Sequence, residues 1–152
     1  MTCINHSFCY RYFLTDQHST PCGCKSCEII AYFNSEAWFT SLSNLIGQVI
    51  GSSYSISASK YTEGCFLATH TDSPNGDMAF VYNLSKNWNP VWGGLLHFLE
   101  LDLKTIKKVV HPEFNSLVLF NVANGDMPHY VSSVSQGVTA KRLAVSGWFK
   151  HI

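Results

Sequence analysis

The chain has 152 residues, of which 46% are hydrophobic, 14% aromatic and 13% charged, and its formal net charge is zero at pH 7. This length and composition predict one folded domain with a substantial hydrophobic core. The neutral balance argues against a broad electrostatic surface for nucleic acid or membrane, and no apolar run approaches the roughly 20 residues of a membrane span.

The N-terminal segment, residues 1–21, has no clear periodicity and is left without a predicted element. It lacks both the cationic start and the long apolar stretch of an export signal, so the expected location is the cytoplasm. The cysteines are therefore expected to be thiols. Cys22, Cys24 and Cys27 form a tight cluster that could hold zinc together with His18 or His6. The alternative is a Gly-containing loop of reduced cysteines.

Residues 28–50 carry apolar side chains at spacings of three to four positions. This pattern predicts one or two amphipathic helices, interrupted near Asn34 and Ser35. Ser35 is expected to cap the second helix, and Gly47 or Gly51 to end it. Such helices would pack against a sheet.

After residue 51 the pattern becomes that of short strands separated by turns rich in Gly, Pro, Asn and Asp. The predicted strands are 55–60, 64–69, 78–84, 95–101, 116–121, 129–134 and 141–150. Many short strands with such turns predict a β-sandwich or barrel. We expect one structural domain in which residues 1–54 form a Cys-rich segment with supporting helices and residues 55–152 form the β core.

A His-x-Asp pair, His70 and Asp72, comes at the end of a predicted strand, and His129 begins a much later one. Residues two apart in a strand point to the same face, so one hairpin end can aim both side chains at one point. A second imidazole would complete a set of two nitrogens and one carboxylate, which suits ferrous iron and leaves coordination positions open. Otherwise His70 is a hydrogen-bonded strand residue, Asp72 a turn residue and His129 a loop residue.

Arg142 lies in an apolar strand whose alternation places Ala144, Ser146 and Trp148 on its own face. A buried arginine remains charged, and burying it without an anion costs several kcal/mol. Its guanidinium fits a carboxylate in bidentate fashion, so a bound dicarboxylate is one candidate partner and a surface carboxylate is the other. Lys141 points to the opposite face of a regular strand and is the weaker candidate.

Together these residues resemble the iron(II)- and 2-oxoglutarate-dependent oxygenases, in particular the prolyl-hydroxylase branch. The resemblance covers more than half of the chain and consists of several matches in a fixed order. The matching segments are 61–72, 84–88, 92–96, 111–120, 129–131 and 142–148.

The resemblance implies a mainly β fold, the double-stranded β-helix, which is a jelly roll related to the cupins, with one or two N-terminal buttressing helices. It implies His70, Asp72 and His129 as the catalytic ligands of Fe(II). It also implies Arg142 as the residue that binds the distal carboxylate of the co-substrate 2-oxoglutarate.

Three further residues are co-substrate-binding candidates by this resemblance. Tyr61 matches a tyrosine that lines the co-substrate pocket, although it could simply pack in its strand. Asn83 stands where close relatives supply a second tyrosine, and this departure bears on the co-substrate affinity. Trp148 either walls the pocket or fills the core.

The implied function is a dioxygenase that hydroxylates a prolyl residue in a protein or peptide with dioxygen. 2-Oxoglutarate would be oxidatively decarboxylated to succinate and CO2, with ascorbate as a possible reductant. Relatives that halogenate lack the carboxylate that Asp72 supplies, so the resemblance favours hydroxylation over halogenation. Nucleic-acid dealkylases usually carry an arginine where this chain has Trp148, which argues against dealkylation. The alternatives are hydroxylation of a free amino acid or small metabolite, and a catalytically inactive, metal-binding cupin-like interaction module.

Overall fold

The computed structural model describes residues 2–5, 8–15, 23–72 and 76–151. The helices are α1 (Lys25–Phe33) and α2 (Glu36–Ile46). The strands are β1 (Thr2–Asn5), β2 (Phe8–Arg11), β3 (Phe13–Leu14), β4 (Ile50–Tyr61), β5 (Phe66–His70), β6 (Met78–Asn83), β7 (Leu96–Leu99), β8 (Ile106–Val110), β9 (Ser116–Asn121), β10 (His129–Val131) and β11 (Arg142–His151). In the described part, no helix is long and apolar enough to cross a membrane.

The two helices meet at Ser35, where the sequence predicts the break. The Ser35 Oγ accepts a hydrogen bond from the backbone N–H of Trp38 at 3.3 Å, so it satisfies one of the free donors at the start of α2. Gly47 ends α2 with φ 70°, a left-handed conformation that glycine adopts without steric cost. Both predictions are therefore confirmed, while α1 begins earlier than expected.

Strands β4 to β11 form two antiparallel sheets that confirm the predicted mainly β architecture. One sheet has the order β3-β4-β11-β6-β9 and the other has the order β1-β2-β5-β10-β7-β8. From β4 to β11, consecutive strands alternate between the sheets, except that β7 and β8 form a hairpin. This winding of the chain is that of a jelly roll.

The five-stranded sheet is covered on both faces. One core cluster, which includes Phe98, Phe120 and Val131, lies between the two sheets. A second cluster packs helix residues such as Phe33 and Leu42 against the other face of the five-stranded sheet. Burial of each such side chain contributes about 1.5–3 kcal/mol. The helices therefore buttress the sheet and leave the space between the sheets for a site.

The N-terminal crossing segment, residues 8–15, passes from one sheet to the other. Its first strand, β2, pairs with β5 through Tyr10 and Arg11, and its second strand, β3, pairs with β4. Tyr12 lies at the point where the chain changes sheets. The sequence predicted none of the strands β1 to β3.

Strand β8 was also missed by the sequence analysis. It pairs only with β7, and its first four residues are exposed. An edge strand of this kind has no buried face, so its sequence lacks the alternation by which strands are recognised.

Candidate metal centre

The side chains of His70, Asp72 and His129 converge at one point between the sheets. His70 ends β5 and His129 begins β10, and the two residues are directly opposite each other in the antiparallel pairing. The Asp72 Oδ1 lies 3.3 Å from the His70 Nε2, and its Oδ2 lies 3.5 Å from the His129 Nε2. The three ligand atoms that these residues offer all lie within 4.8 Å of one another.

His70 and Asp72 aim at one point, as predicted, but only His70 lies within the strand. Strand β5 ends at His70, so Asp72 reaches the site from the loop that follows. The pairing of β5 with β10 also shifts register, because His129 faces His70 whereas Val131 faces Leu67. Such an irregularity re-aims side chains, and it lets both Leu67 and His70 line the same cavity.

The hydrogen bonds of the two imidazoles direct their Nε2 atoms toward Asp72. The His70 Nδ1 lies 2.9 Å from the carbonyl oxygen of Ala68, and the His129 Nδ1 lies 2.8 Å from that of Met127. A carbonyl oxygen only accepts, so each Nδ1 donates. In a neutral imidazole the Nε2 then carries the lone pair, which is the arrangement typical of histidine ligands of metals.

The charges at this point suit a divalent cation. Burial opposes ionisation of Asp72, but the electrostatic interactions with His70 and His129 outweigh it and lower the pKa of the carboxyl. Burial, reinforced by His70 and opposed by Asp72, lowers the pKa of His129. The site therefore offers an anionic carboxylate beside a neutral imidazole, a donor set that fits Fe(II).

A cavity of about 540 Å³ opens beside these three residues and is lined by both sheets. Its volume lies within the usual range for small-molecule sites. Arg142, Ala144, Ser146 and Trp148 all contribute to its wall, as strand alternation predicts for that face of β11.

Arg142 is a buried cation that lacks an anion in the described part of the chain. Arg142 is 3% exposed. Among the described residues it forms no ion pair, and its Nε–H has no hydrogen-bond partner. Burial lowers the pKa of Arg142, although Tyr61 opposes this change. A ligand carboxylate would supply the missing charge.

The other predicted co-substrate residues differ in where they lie. Tyr61 is opposite Arg142 in the sheet, and the guanidinium carbon lies 4.7 Å from the centre of its ring. Trp148 lines the cavity, and its buried Nε1–H makes no hydrogen bond with the described residues. Trp148 is nevertheless near enough to Asp72 to help lower the pKa of the Asp72 carboxyl. Asn83 does not line the main cavity, but borders a smaller space behind Arg142 and donates to Ser116 Oγ at 3.2 Å.

Tyr12 is among the cavity residues that the sequence analysis did not predict. Tyr12 lines the cavity and stacks on Tyr61, with the ring centres 5.0 Å apart and the planes 6° from parallel. Burial, together with Tyr10 and Asp72, raises the pKa of the Tyr12 hydroxyl, so the ring is neutral. No local sequence pattern predicts Tyr12 as a cavity residue, because its position depends on the crossing of the chain from one sheet to the other.

The predicted cysteine site lies largely outside the described residues, which do not include Cys22, His18 or His6. Within the described ranges, Cys24 and Cys27 lie at the start of α1 with their Sγ atoms 3.5 Å apart. The zinc hypothesis stays a prediction.

Residues 56–150 match the family model described as the 2OG-Fe(II) oxygenase superfamily. The chain is 34% identical over 118 residues to the prolyl 3-hydroxylase OGFOD1 of Mus musculus, covering 74% of this chain and 21% of that protein. It is 33% identical over 98 residues to the prolyl 3,4-dihydroxylase OGFOD1 of Ostreococcus tauri, covering 59% of this chain and 19% of that protein. The chain thus spans about one fifth of the length of these curated relatives.

Solved structures show the same fold. The Pseudomonas putida prolyl-4-hydroxylase superposes with a TM-score of 0.62 at 20% identity, over 93% of this chain and 72% of that one. A Trichoplax adhaerens prolyl hydroxylase, solved with a hypoxia-inducible-factor peptide, superposes with a TM-score of 0.61 at 24% identity, over 82% and 57% of the two chains. These matches support the double-stranded β-helix predicted from the sequence.

Proposed function

Because the chain belongs to the 2OG-Fe(II) oxygenase superfamily, we propose that it is a 2-oxoglutarate-dependent dioxygenase that hydroxylates a prolyl residue in a protein or peptide. One oxygen atom of dioxygen enters the substrate and the other enters succinate, which forms with CO2 from 2-oxoglutarate. The observation that carries the proposal is that two imidazoles, a carboxylate and a guanidinium line one cavity, and that the guanidinium forms no ion pair with the described residues.

In this proposal His70, Asp72 and His129 hold Fe(II). When bound, the metal would supply the redox chemistry that activates dioxygen. The two backbone carbonyls that accept from the Nδ1 atoms fix each imidazole in the tautomer that can bind a metal. Asp72 supplies the negative charge. Three protein ligands would leave coordination positions open for co-substrate and dioxygen.

Arg142 binds the distal carboxylate of 2-oxoglutarate in this proposal. It is deep in the same cavity, and its charge has no other anion among the described residues. Tyr61 covers the guanidinium and Trp148 forms part of the cavity wall near Asp72. A cavity shielded in this way strengthens the charge interaction, because little water competes for it.

The substrate class is proposed from the relatives. Both OGFOD1 proteins are named for oxidation of prolyl groups, and the Trichoplax enzyme was solved with a peptide fragment. A prolyl residue in a protein segment is therefore the first substrate to test.

The direct test measures succinate from the purified protein supplied with Fe(II), 2-oxoglutarate, ascorbate and dioxygen, with and without a library of proline-containing peptides. We expect succinate formation to increase with particular peptides, and mass spectrometry to find one oxygen atom added to a proline in them. Turnover with only free proline or another small molecule would instead support a metabolite hydroxylase. Metal binding without turnover on any of these would contradict the proposed activity and favour an interaction module.

Asp72→Ala tests the metal assignment. The variant loses one of three ligands and the only carboxylate of the set, so we expect Mn(II) binding, measured by calorimetry, to weaken by more than about 100-fold, and turnover to disappear. His111→Ala, which changes an exposed histidine outside the cavity, is the matched control and should bind Mn(II) normally. Unchanged Mn(II) affinity in Asp72→Ala would refute the proposed role of Asp72.

A further inference from the structure

The N-terminal crossing segment completes the cavity, although it lies outside residues 56–150 that match the family model. Tyr12 is the residue through which it does so. Its ring lies against the Tyr61 ring, and the guanidinium carbon of Arg142 lies over the same Tyr61 ring, 4.7 Å from its centre, so Tyr61 contacts both side chains. Tyr10 lies beside Tyr12, with the ring centres 5.4 Å apart and the ring planes tilted by 52°.

Strand pairing on both sides holds Tyr12 in place. Before it, Tyr10 and Arg11 pair with Leu67 and Phe66 of β5, and after it β3 pairs with β4. The last described residue of the segment, Thr15, donates its backbone N–H to the carbonyl oxygen of Ala58 at 2.9 Å, and its Oγ1 accepts from the N–H of Ala58 at 3.1 Å. The ring of Tyr12 is thus fixed by backbone hydrogen bonds to two sheets.

We propose that Tyr12 is a positioning residue of the dicarboxylate site, which holds the Tyr61 ring over the Arg142 guanidinium and keeps water from that end of the cavity. This inference rests on the proposed function. Parallel aromatic rings attract each other, and a cation is attracted to a ring face, so a fixed Tyr61 keeps the guanidinium oriented. Removing Tyr12 would expose the outer face of Tyr61 and admit water, which weakens the pairing of Arg142 with a carboxylate.

The test is calorimetric titration of 2-oxoglutarate into the 152-residue chain loaded with Mn(II), in which no turnover occurs. We expect Tyr12→Ala to weaken 2-oxoglutarate binding about tenfold, a size in keeping with the loss of an aromatic pair. Tyr12→Phe keeps the stacked ring and should bind within about twofold of the original protein. Mn(II) affinity should be unchanged in both variants, because Tyr12 supplies no ligand atom to the metal site.

Phe13→Ala is the matched control, because Phe13 is in the same segment but is 46% exposed and does not line the cavity. It should leave 2-oxoglutarate binding unchanged. Tyr12→Leu serves if the alanine variant does not fold, since leucine keeps apolar bulk without a flat ring; it should bind more weakly than Tyr12→Phe. During turnover, we expect Tyr12→Ala to raise the KM for 2-oxoglutarate with little change in kcat.

Two results separate this inference from the proposed function. Equal binding of 2-oxoglutarate by the original protein, Tyr12→Ala and Tyr12→Leu would overturn the role of Tyr12 and leave the proposed function standing. Binding in Tyr12→Phe as weak as in Tyr12→Ala would assign the effect to the hydroxyl and overturn the stacking argument. If the original Mn(II) protein does not bind 2-oxoglutarate, the proposed function and this inference both fall.

Discussion

Arg142 carries an electrostatic cost in the ligand-free protein that a bound carboxylate would remove. The residue is almost fully buried, and what faces it in the described structure is the ring of Tyr61 and not an anion. A cation–π contact returns up to about 2 kcal/mol, which is less than the several kcal/mol that burial of a charge costs. In its proposed role, Arg142 would favour binding of a carboxylate at the expense of the stability of the ligand-free protein.

Arg142→Met removes a buried charge that has no anionic partner among the described residues, so the ligand-free variant is expected to be at least as stable as the original protein. If the methionine packs well, the gain is about 1 kcal/mol. The same variant should keep Mn(II) and lose the increase in melting temperature that 2-oxoglutarate gives. Thermal unfolding with and without each ligand measures both effects.

Lys141→Met is the control, because Lys141 is the exposed neighbour of Arg142 and loses the same charge. It should change neither the stability of the ligand-free protein nor the effect of 2-oxoglutarate. A large loss of stability in Arg142→Met would contradict the account of Arg142 as a costly cation.

Residue identity could be predicted from the sequence where types and order were sufficient. His70, Asp72 and His129 were singled out by their order along the chain, and the structure brings the three together. The contacts of their Nδ1 atoms with Ala68 and Met127 could not be predicted, since they depend on the backbone path at the strand ends. Asn83 was grouped with the cavity residues by resemblance alone, and it lies behind Arg142 instead.

Helices α1 and α2 illustrate an element whose limits are set locally. Ser35 caps α2 by accepting from Trp38 N–H, and its hydroxyl donates to the carbonyl oxygen of Tyr32 at 2.7 Å. One side chain therefore stabilises the end of α1 and the start of α2. Such signals lie within a few residues, so the sequence predicted this break, whereas β8 is defined by its pairing with β7 and was missed.

Ser35→Ala is expected to lower the free energy of unfolding by about 1 kcal/mol, the usual cost of a lost N-cap, as measured by urea unfolding. Ser41→Ala changes the same residue type within α2, where the Ser41 Oγ donates to the carbonyl oxygen of Ala37 at 2.8 Å. Such a bond slightly disfavours a helix, so this control should be neutral. Neither variant should alter Mn(II) binding, and equal stability of the two would contradict the capping role.

In the whole molecule, the five-stranded sheet joins the two cores. One face of this sheet borders the cavity and the other packs against the helices. Phe80 lines the cavity and also belongs to the helix-side core. A sheet shared in this way couples the helical layer to the site layer, so we expect the described part of the protein to unfold in one cooperative transition.

Leu42→Ala should destabilise the protein by about 2–5 kcal/mol, because Leu42 is 1% exposed in the helix-side core and its truncation leaves a cavity. The loss should appear at the same urea concentration in tryptophan fluorescence and in far-ultraviolet circular dichroism. Leu45→Ala is the control on the same helix, since Leu45 is 67% exposed and should change stability little. Two separate transitions would show that the helical layer unfolds independently.

At this scale the sequence predicted the jelly roll, because the alternation of short strands and turns and the order of the family motifs both indicate it. The crossing segment was not predicted. Its strands are only two to four residues long and form where β4 and β5 leave free edges, so their existence depends on the completed sheets.

Strand β3 beside β4 and strand β2 beside β5 have a practical consequence for anyone who shortens this protein to its family-matched range. A version that starts at residue 56 would cut β4 in the middle and expose two sheet edges at once. Exposed edges pair readily with other chains, so such a fragment would tend to aggregate in vitro. Vectors for producing this domain should therefore retain its opening residues.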